Sequence, residues 1–258
     1  MTTAVNSEYL GELDRVTARI EPLERFVTAY AASLAPPIFY HSGREHYGFR
    51  YGKPGVRHFC LLKAVRTVSA LNAMIALARG GFAQEIGVLV RTLVECTTHI
   101  EFVLDALDEN DVLAPDVDKY VQDFFADFAR NSSADFKRAQ VRQIVVHQRI
   151  GATLDSVSQQ VGDAGHHALA EEMYSNVYLT YSNYIHAKYP ETMDLYGGVP
   201  AHFHLAGMRG TPKEEENLQI IDTFVDAATV VLKLMAGKLR LHPILAAEPG
   251  LSIWFESS

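Results

Sequence analysis

The chain has 258 residues, of which 48% are apolar and 21% charged, and 31 acidic residues against 23 basic ones give a formal net charge of −8. This mixture excludes disordered, collagen-like and low-complexity classes, and the acidic balance argues against a general nucleic-acid coat while allowing a local basic site. A chain of this length can bury a hydrophobic core that is stable without disulfides or bound metals. The two cysteines, Cys60 and Cys96, exclude a disulfide framework and indicate a reducing compartment.

The first 30 residues do not resemble a targeting segment, because they carry five acidic residues and no apolar stretch of the signal-peptide type. An uncharged helical run of note, Thr67 to Ala78, has 12 residues. A transmembrane helix needs about 20. We therefore expect a cytoplasmic protein without a membrane span.

Helical periodicity dominates the first half of the chain. A first helix is predicted from about Ser7 to Leu34, where Pro36 and Pro37 end it, and an irregular stretch follows over residues 38–54. Two further helices, about Val56 to Arg79 and Phe82 to Leu107, are apolar on nearly all sides and are separated by two glycines. This arrangement predicts a central antiparallel helical hairpin.

The second half continues the helical pattern. Helices are predicted over about 116–129, over 166–189 with Pro190 as its stop, and over 213–239, followed by an irregular tail from residue 241. Residues 112–163 are more polar than the rest and form a candidate excursion from the bundle. No alternation predicts a sheet. The sequence therefore predicts an all-α, single-domain bundle of about six to eight helices over residues 1–258.

A charge pair marks the second helix of the apolar hairpin. Arg91 and Glu95 are four residues apart among apolar neighbours, so they share a helix face and should be at least partly buried. One interpretation is a structural ion pair that fixes helix packing. The other is an arginine held by a glutamate and directed at an anion or phosphate.

A tyrosine-rich helix ends at His186. Tyr181 belongs to one stripe at helical spacing, and Ser182 lies with His186 on the adjacent stripe. Such stripes usually pack in a core with hydroxyls at its rim. A histidine in a last helical turn acts as a helix cap, or as a proton-transfer group if folding brings it to Arg91 and Glu95.

These two motifs carry a resemblance. The R-x-x-x-E pattern at Arg91 and Glu95 and the later Y-x-x-Y-S-N-Y-I-H run ending at His186 are similar to a group of uncharacterised bacterial all-helical proteins known as a domain of unknown function. The architecture more distantly resembles HEPN-type bundles, many of which cleave RNA without a metal. That family's motif places an arginine shortly before the histidine on one helix. Here positions 179–181 lack it, so Arg91 would have to substitute from another helix.

A basic and aromatic segment precedes the apolar hairpin. Residues 41–58, HSGREHYGFRYGKPGVRH, interleave four cations, among them Arg57, with three Tyr or Phe residues and contain one acid, Glu45. Aromatic rings and cations together suit a single-stranded nucleic acid or a nucleotide. The alternative is a loop fixed to the bundle by its aromatic residues.

No hydrolase, nucleotide-loop or metal motif occurs, so neither a metal nor a cofactor is predicted. The leading hypothesis is a HEPN-like protein associated with nucleotides or RNA, of the defence or toxin type. Arg91, Glu95 and His186 are its candidate catalytic residues, and Tyr181, Ser182 and Arg57 its candidate ligand-binding residues. The alternative is a non-catalytic helical interaction protein in which Arg91 and Glu95 are structural. A homodimer is predicted, because two helices are too apolar to leave a face in water.

Overall fold

The computed structural model describes residues 7–42, 46–125, 180–200 and 202–252. Over these ranges it contains eight helices, a further helical stretch and one two-stranded hairpin, which confirms the all-α class. The elements are α1 (Ser7–Ala32), β1 (Ile38–Ser42), β2 (His46–Arg50), α2 (Val56–Gly80), α3 (Ala83–Asp105), α4 (Pro115–Phe125), α5 (Tyr189–Met193), α6 (Lys213–Lys238), α7 (His242–Ala246) and α8 (Pro249–Ser252). Residues 180–185 are helical as well.

Four long helices, α1, α2, α3 and α6, enclose the main core. α2 packs against the other three, and α6 packs against both α1 and α3. The fully buried side chains are large apolar residues from these helices, among them Leu13, Phe26, Phe59, Leu71, Leu93 and Ile100. Helix α2 therefore lies at the centre of the bundle, and the predicted apolar helical hairpin is confirmed.

The turn between α2 and α3 is made by two glycines, as the sequence predicted. Gly81 caps α2 in the left-handed conformation with φ 78°, and its N–H donates to the carbonyl of Ala78 at 3.0 Å. A later segment lies over this turn, because the N–H of Met208 donates to the carbonyl of Gly81 at 2.7 Å. The turn thus joins α2, α3 and the approach to α6.

The prediction that residues 38–54 are irregular was wrong. β1 and β2 form an antiparallel hairpin in which Phe39 is opposite Phe49 and Ile38 is opposite Arg50. Each strand has only five residues. The sequence signal is weak because His and Gly residues interrupt the alternation of apolar and polar positions over so short a length.

Two helix ends also differ from the predictions. The helix containing residues 180–185 ends before Ala187, which has φ 46°, and Pro190 lies in the first turn of α5 instead of ending the preceding helix. The tail is not irregular, since α7 and α8 form there, each with a proline at its start. The predicted helices over 116–129 and 166–189 extend beyond the described residues, as does most of the polar segment 112–163.

One helix within the described ranges, α2, is long and apolar enough to cross a membrane by length and composition. Half of its most apolar window is buried inside the structure. The core helix of a soluble protein passes the same test, so its place at the centre of the bundle accounts for this composition. The absence of a membrane span stays a prediction.

Candidate functional site

The predicted ion pair is present on α3. The Arg91 guanidinium Nη2 lies 2.8 Å from Glu95 Oε1, with 8% of the Arg91 side chain and 37% of the Glu95 side chain exposed. The expected burial is therefore confirmed for the arginine, whereas the glutamate reaches the surface. An i, i+4 spacing places both groups on one helix face, so the local helix alone brings them together.

A buried histidine extends the same face by one turn. His99 is four residues beyond Glu95, and its ring meets the Tyr120 ring of α4 edge to face at a centroid distance of 5.7 Å. Burial raises the pKa of Tyr120, and the nearby Glu95 and Cys96 raise it further. Helix α4 thus closes one side of this face with a protonated phenol.

Helix α2 contributes a lysine to the same region. The Lys63 ammonium lies 5.5 Å and 5.0 Å from the ring centroids of Phe59 and Phe124, within cation–π range. Burial lowers the pKa of Lys63, while Cys96 and Glu95 act in the opposite direction. A lysine whose burial disfavours its charged form occurs at sites that transfer protons.

We call these five residues the polar stripe: Lys63, Arg91, Glu95, His99 and Tyr120. Its members come from three helices that otherwise pack through apolar side chains. Sequence reasoning missed Lys63 and Tyr120, because their helices come to α3 only in the folded chain. Lys63 did carry a local signal, as a single charge within the apolar run Phe59 to Val65. Chemically, the stripe combines groups that can bear positive charge with one carboxylate.

His186 is exposed and is not brought to Arg91 by any contact among the described residues. Its neighbour Tyr184 packs against Gly87 of α3, and Gln84 Nε2 donates to the carbonyl of Glu191 at 2.6 Å. From Tyr184 to Glu191 the chain therefore runs towards the start of α3, which is the direction away from Arg91. The predicted convergence of Arg91, Glu95 and His186 stays a prediction.

Tyr181 and Ser182 lie on the helical turn before His186. The Tyr181 ring packs edge to face on Phe224 of α6 at a centroid distance of 6.2 Å, and burial raises its pKa. The Ser182 carbonyl accepts the backbone N–H of His186 at 3.1 Å. A cavity of about 30 Å³ beside Tyr181 holds no more than one water, so this region resembles the packed core of the alternative interpretation.

Arg57, at the start of α2, has partners within the protein. Its guanidinium Nη2 lies 3.0 Å from Asp111 Oδ2, and its backbone carbonyl accepts the Tyr30 hydroxyl at 2.8 Å. The Tyr51 ring packs on the His58 ring at a centroid distance of 4.4 Å and also packs against the core, as expected of a loop fixed by its aromatic residues. Phe39 and Phe49 behave differently, because 60% and 66% of their surfaces are exposed.

Metal ligands do not cluster in the ranges that the structure describes. There, no group of three His, Cys, Asp or Glu side chains is placed to hold a metal ion. The rings of His202 and His204 do meet, at a centroid distance of 5.2 Å. Two histidines on an exposed loop are too few for the four ligands of a structural zinc site.

The fold and the stripe define a helical bundle with an ionisable face on its central hairpin. The model of a family of unknown function, DUF5677, matches residues 57–198, just over half of the chain. The chain belongs to this family, which confirms the resemblance to uncharacterised helical proteins. No curated protein and no solved structure matches it. All five residues of the polar stripe lie within the matched segment, whereas α1, the β hairpin and α6 lie outside it.

Proposed function

We propose that this protein associates with nucleotides or RNA and that the polar stripe binds a phosphate group. The observation that carries the proposal is the Arg91 guanidinium, almost fully buried, in contact with Glu95 and on the same helix face as His99, while Lys63 of α2 interacts electrostatically with Glu95. Arg91 holds two phosphate oxygens by parallel hydrogen bonds, and Glu95 fixes the plane of the guanidinium. The stripe lies within the family segment, which favours a role shared by the family.

Proton transfer in this proposal falls to a histidine. The sequence predicts His186, and the structure adds His99, which already lies on the face of Arg91 and Glu95. Either imidazole has the chemistry to accept and donate a proton. RNA as the substrate class comes from the resemblance of the sequence to HEPN-type bundles, which no comparison adds to, and the arginine of their motif is absent before His186.

The test compares binding and cleavage by the full-length chain, using fluorescent mononucleotides and short RNAs. Arg91→Lys keeps the charge but loses the planar fork, so we expect binding to weaken by about tenfold. Arg79→Lys is the matched control, because Arg79 is a solvent-accessible arginine paired with Asp14 on the surface. His186→Ala and His99→Gln should spare binding more than cleavage, since a proton-transfer role matters mainly in the transition state.

Two results would contradict the proposal. One is a folded wild-type chain that neither binds nor cleaves any member of the panel. The other is an Arg91→Lys variant that binds as well as Arg79→Lys. Either result would favour a structural role for the Arg91–Glu95 pair.

A helical interaction protein is the second candidate. It is favoured by large apolar residues that are exposed in α5 and in the segment between α5 and α6: Tyr189, Met193, Tyr196, Val199, Phe203 and Leu205. Exposed apolar residues gathered on one segment mark protein interfaces. On this proposal the chain forms a homodimer, and the Arg91–Glu95 pair only stabilises the bundle.

A cytoplasmic location belongs to both proposals. It is supported by two free thiols, Cys60 and Cys96, both buried in the structure. Burial raises the pKa of Cys60 to about 12, so this thiol is inert as a nucleophile. Cell fractionation tests the location, and recovery in the membrane fraction would contradict it.

A further inference from the structure

The β hairpin presents two aromatic rings to solvent. Phe39 and Phe49 are opposite each other in the strand register, and their rings meet edge to face at a centroid distance of 5.6 Å. Both are among the most exposed large apolar residues of the described ranges. Two rings held together outside the core form a preassembled apolar platform.

Cations lie on the same hairpin and just after it. The Arg50 guanidinium donates to the carbonyl of Phe49 at 2.9 Å and lies beside Gly48, so its charge is held at the edge of β2, on the face of the hairpin opposite the two rings. Arg50 and Lys53 are exposed, and within the described parts of the chain neither pairs with a carboxylate. We call Phe39, Phe49, Arg50 and Lys53 the hairpin patch.

The patch is fixed to the bundle. Five consecutive register pairs join the two strands, and Tyr51, directly after β2, packs on the His58 ring at the start of α2. His58 Nδ1 in turn accepts the backbone N–H of Gly55 at 3.3 Å. A platform mounted on a core helix loses little conformational entropy when a ligand binds.

We propose that the hairpin patch binds single-stranded RNA, with bases stacking on Phe39 and Phe49 and phosphates contacting Arg50 and Lys53. Base stacking on exposed aromatic rings together with cations along the backbone is how single strands are held without a groove. Arg50 and Lys53 give the patch a positive charge in a chain whose net charge is −8, so the patch complements a nucleic acid.

A second copy of this chain suits the patch less well. A two-fold contact would bring Arg50 and Lys53 of one copy near the same cations of the other, and like charges repel. The inference rests on the proposed function for its ligand class alone, because the hairpin patch and the polar stripe share no residue.

The experiment measures binding of fluorescein-labelled 12-nucleotide oligo(U) and oligo(A) and of a 12-base-pair RNA duplex to the full-length chain. We expect single strands to bind more tightly than the duplex. The double variant Phe39→Ala, Phe49→Ala should bind single strands at least tenfold more weakly. The matched control is Val112→Ala, Val230→Ala, which removes two comparably exposed apolar side chains elsewhere and should bind as the wild type.

Salt dependence provides a second readout. Lys53→Gln should reduce the slope of log affinity against log salt by about 0.7, the value for one phosphate contact on a single strand. An unchanged slope would overturn the role of Lys53. Both phenylalanines are exposed, so the aromatic variants should fold, and a far-ultraviolet spectrum equal to the wild type checks this.

Three outcomes overturn the inference: single-strand affinity equal in the aromatic and control variants, tighter binding of the duplex, or a dimer mass that only the aromatic variant loses. The last outcome would assign the patch to a second copy. Binding of mononucleotides but not of oligonucleotides would contradict RNA binding by the hairpin patch and would still support phosphate binding by the polar stripe.

Normal binding by Arg91→Lys, together with weaker binding by the aromatic variant, would contradict phosphate binding by the polar stripe and would support RNA binding by the hairpin patch.

Discussion

The turn between α2 and α3 allows a stability prediction with an internal control. Gly81→Ala places a Cβ 2.8 Å from the backbone nitrogen of Arg209 and 3.0 Å from that of Met208, closer than real Cβ atoms approach. The residue must also keep its left-handed φ of 78°, which costs an alanine about 1 kcal/mol. Because backbone atoms cannot rotate away as a side chain can, overpacking adds about 1–3 kcal/mol.

The expected loss in the free energy of unfolding is therefore about 2–4 kcal/mol for Gly81→Ala. Gly11→Ala is the control, since a Cβ at Gly11 in α1 has nothing within 4 Å. There the same chemical change should stabilise the chain by about 0.5–1 kcal/mol through helix propensity.

The assay is urea denaturation of the full-length protein, followed by far-ultraviolet circular dichroism at 25 °C. Opposite signs for the two variants are the expected result. Equal midpoints would refute the reasoning, because they would mean that the segment around Met208 does not lie over the turn in solution. A change in the slope of unfolding free energy against urea concentration would indicate instead that the substitution alters the unfolded state.

Glu95→Ala should lower the free energy of unfolding by about 1–3 kcal/mol, because it leaves the buried Arg91 guanidinium without its carboxylate. The loss is smaller than for a sealed pair, since Glu95 is more than a third exposed and water can reach the guanidinium in its place. An unchanged denaturation midpoint would contradict the prediction. Burial, aided by Asp105, raises the pKa of Glu101 from 4.5 to about 7, so the folded state holds a proton that the unfolded state releases, and stability falls as the pH rises between these values. Between about pH 5 and pH 8, Glu101→Gln should lose about 1–3 kcal/mol less unfolding free energy than the wild type. A variant whose denaturation curves show the wild-type pH dependence would contradict this prediction. Light scattering should give twice the monomer mass of 28.7 kDa, and a 28.7 kDa particle would rule out the dimer.

The long helices were predictable because each carries its own signal. Leu13, Val16 and Ile20 repeat at helical spacing in α1, and Gly80 and Gly81 mark the turn between α2 and α3. The Arg91–Glu95 pair was predictable for the same reason, since four residues of helix suffice to join it. The β hairpin was missed because cross-strand pairing, not local periodicity, makes its strands.

The site was only partly predictable, because long-range packing decides its composition. Lys63 and Tyr120 approach α3 from two other helices, and no spacing within one helix reveals that. The exposure of Glu95 likewise depends on which neighbours cover α3. Pro190 misled the prediction because a proline is equally suited to ending one helix and to beginning the next.

The central position of α2 and α3 has a consequence for synthesis on the ribosome. α1 emerges first and covers one side of this pair, but α6, which covers the other side, begins 108 residues after α3 ends. At translation rates of about 5–20 residues per second, the apolar faces that await α6 stay uncovered for roughly 5–20 s. We therefore expect the nascent chain to bind chaperones that recognise apolar helices, and its yield to depend on translation speed more than its equilibrium stability suggests.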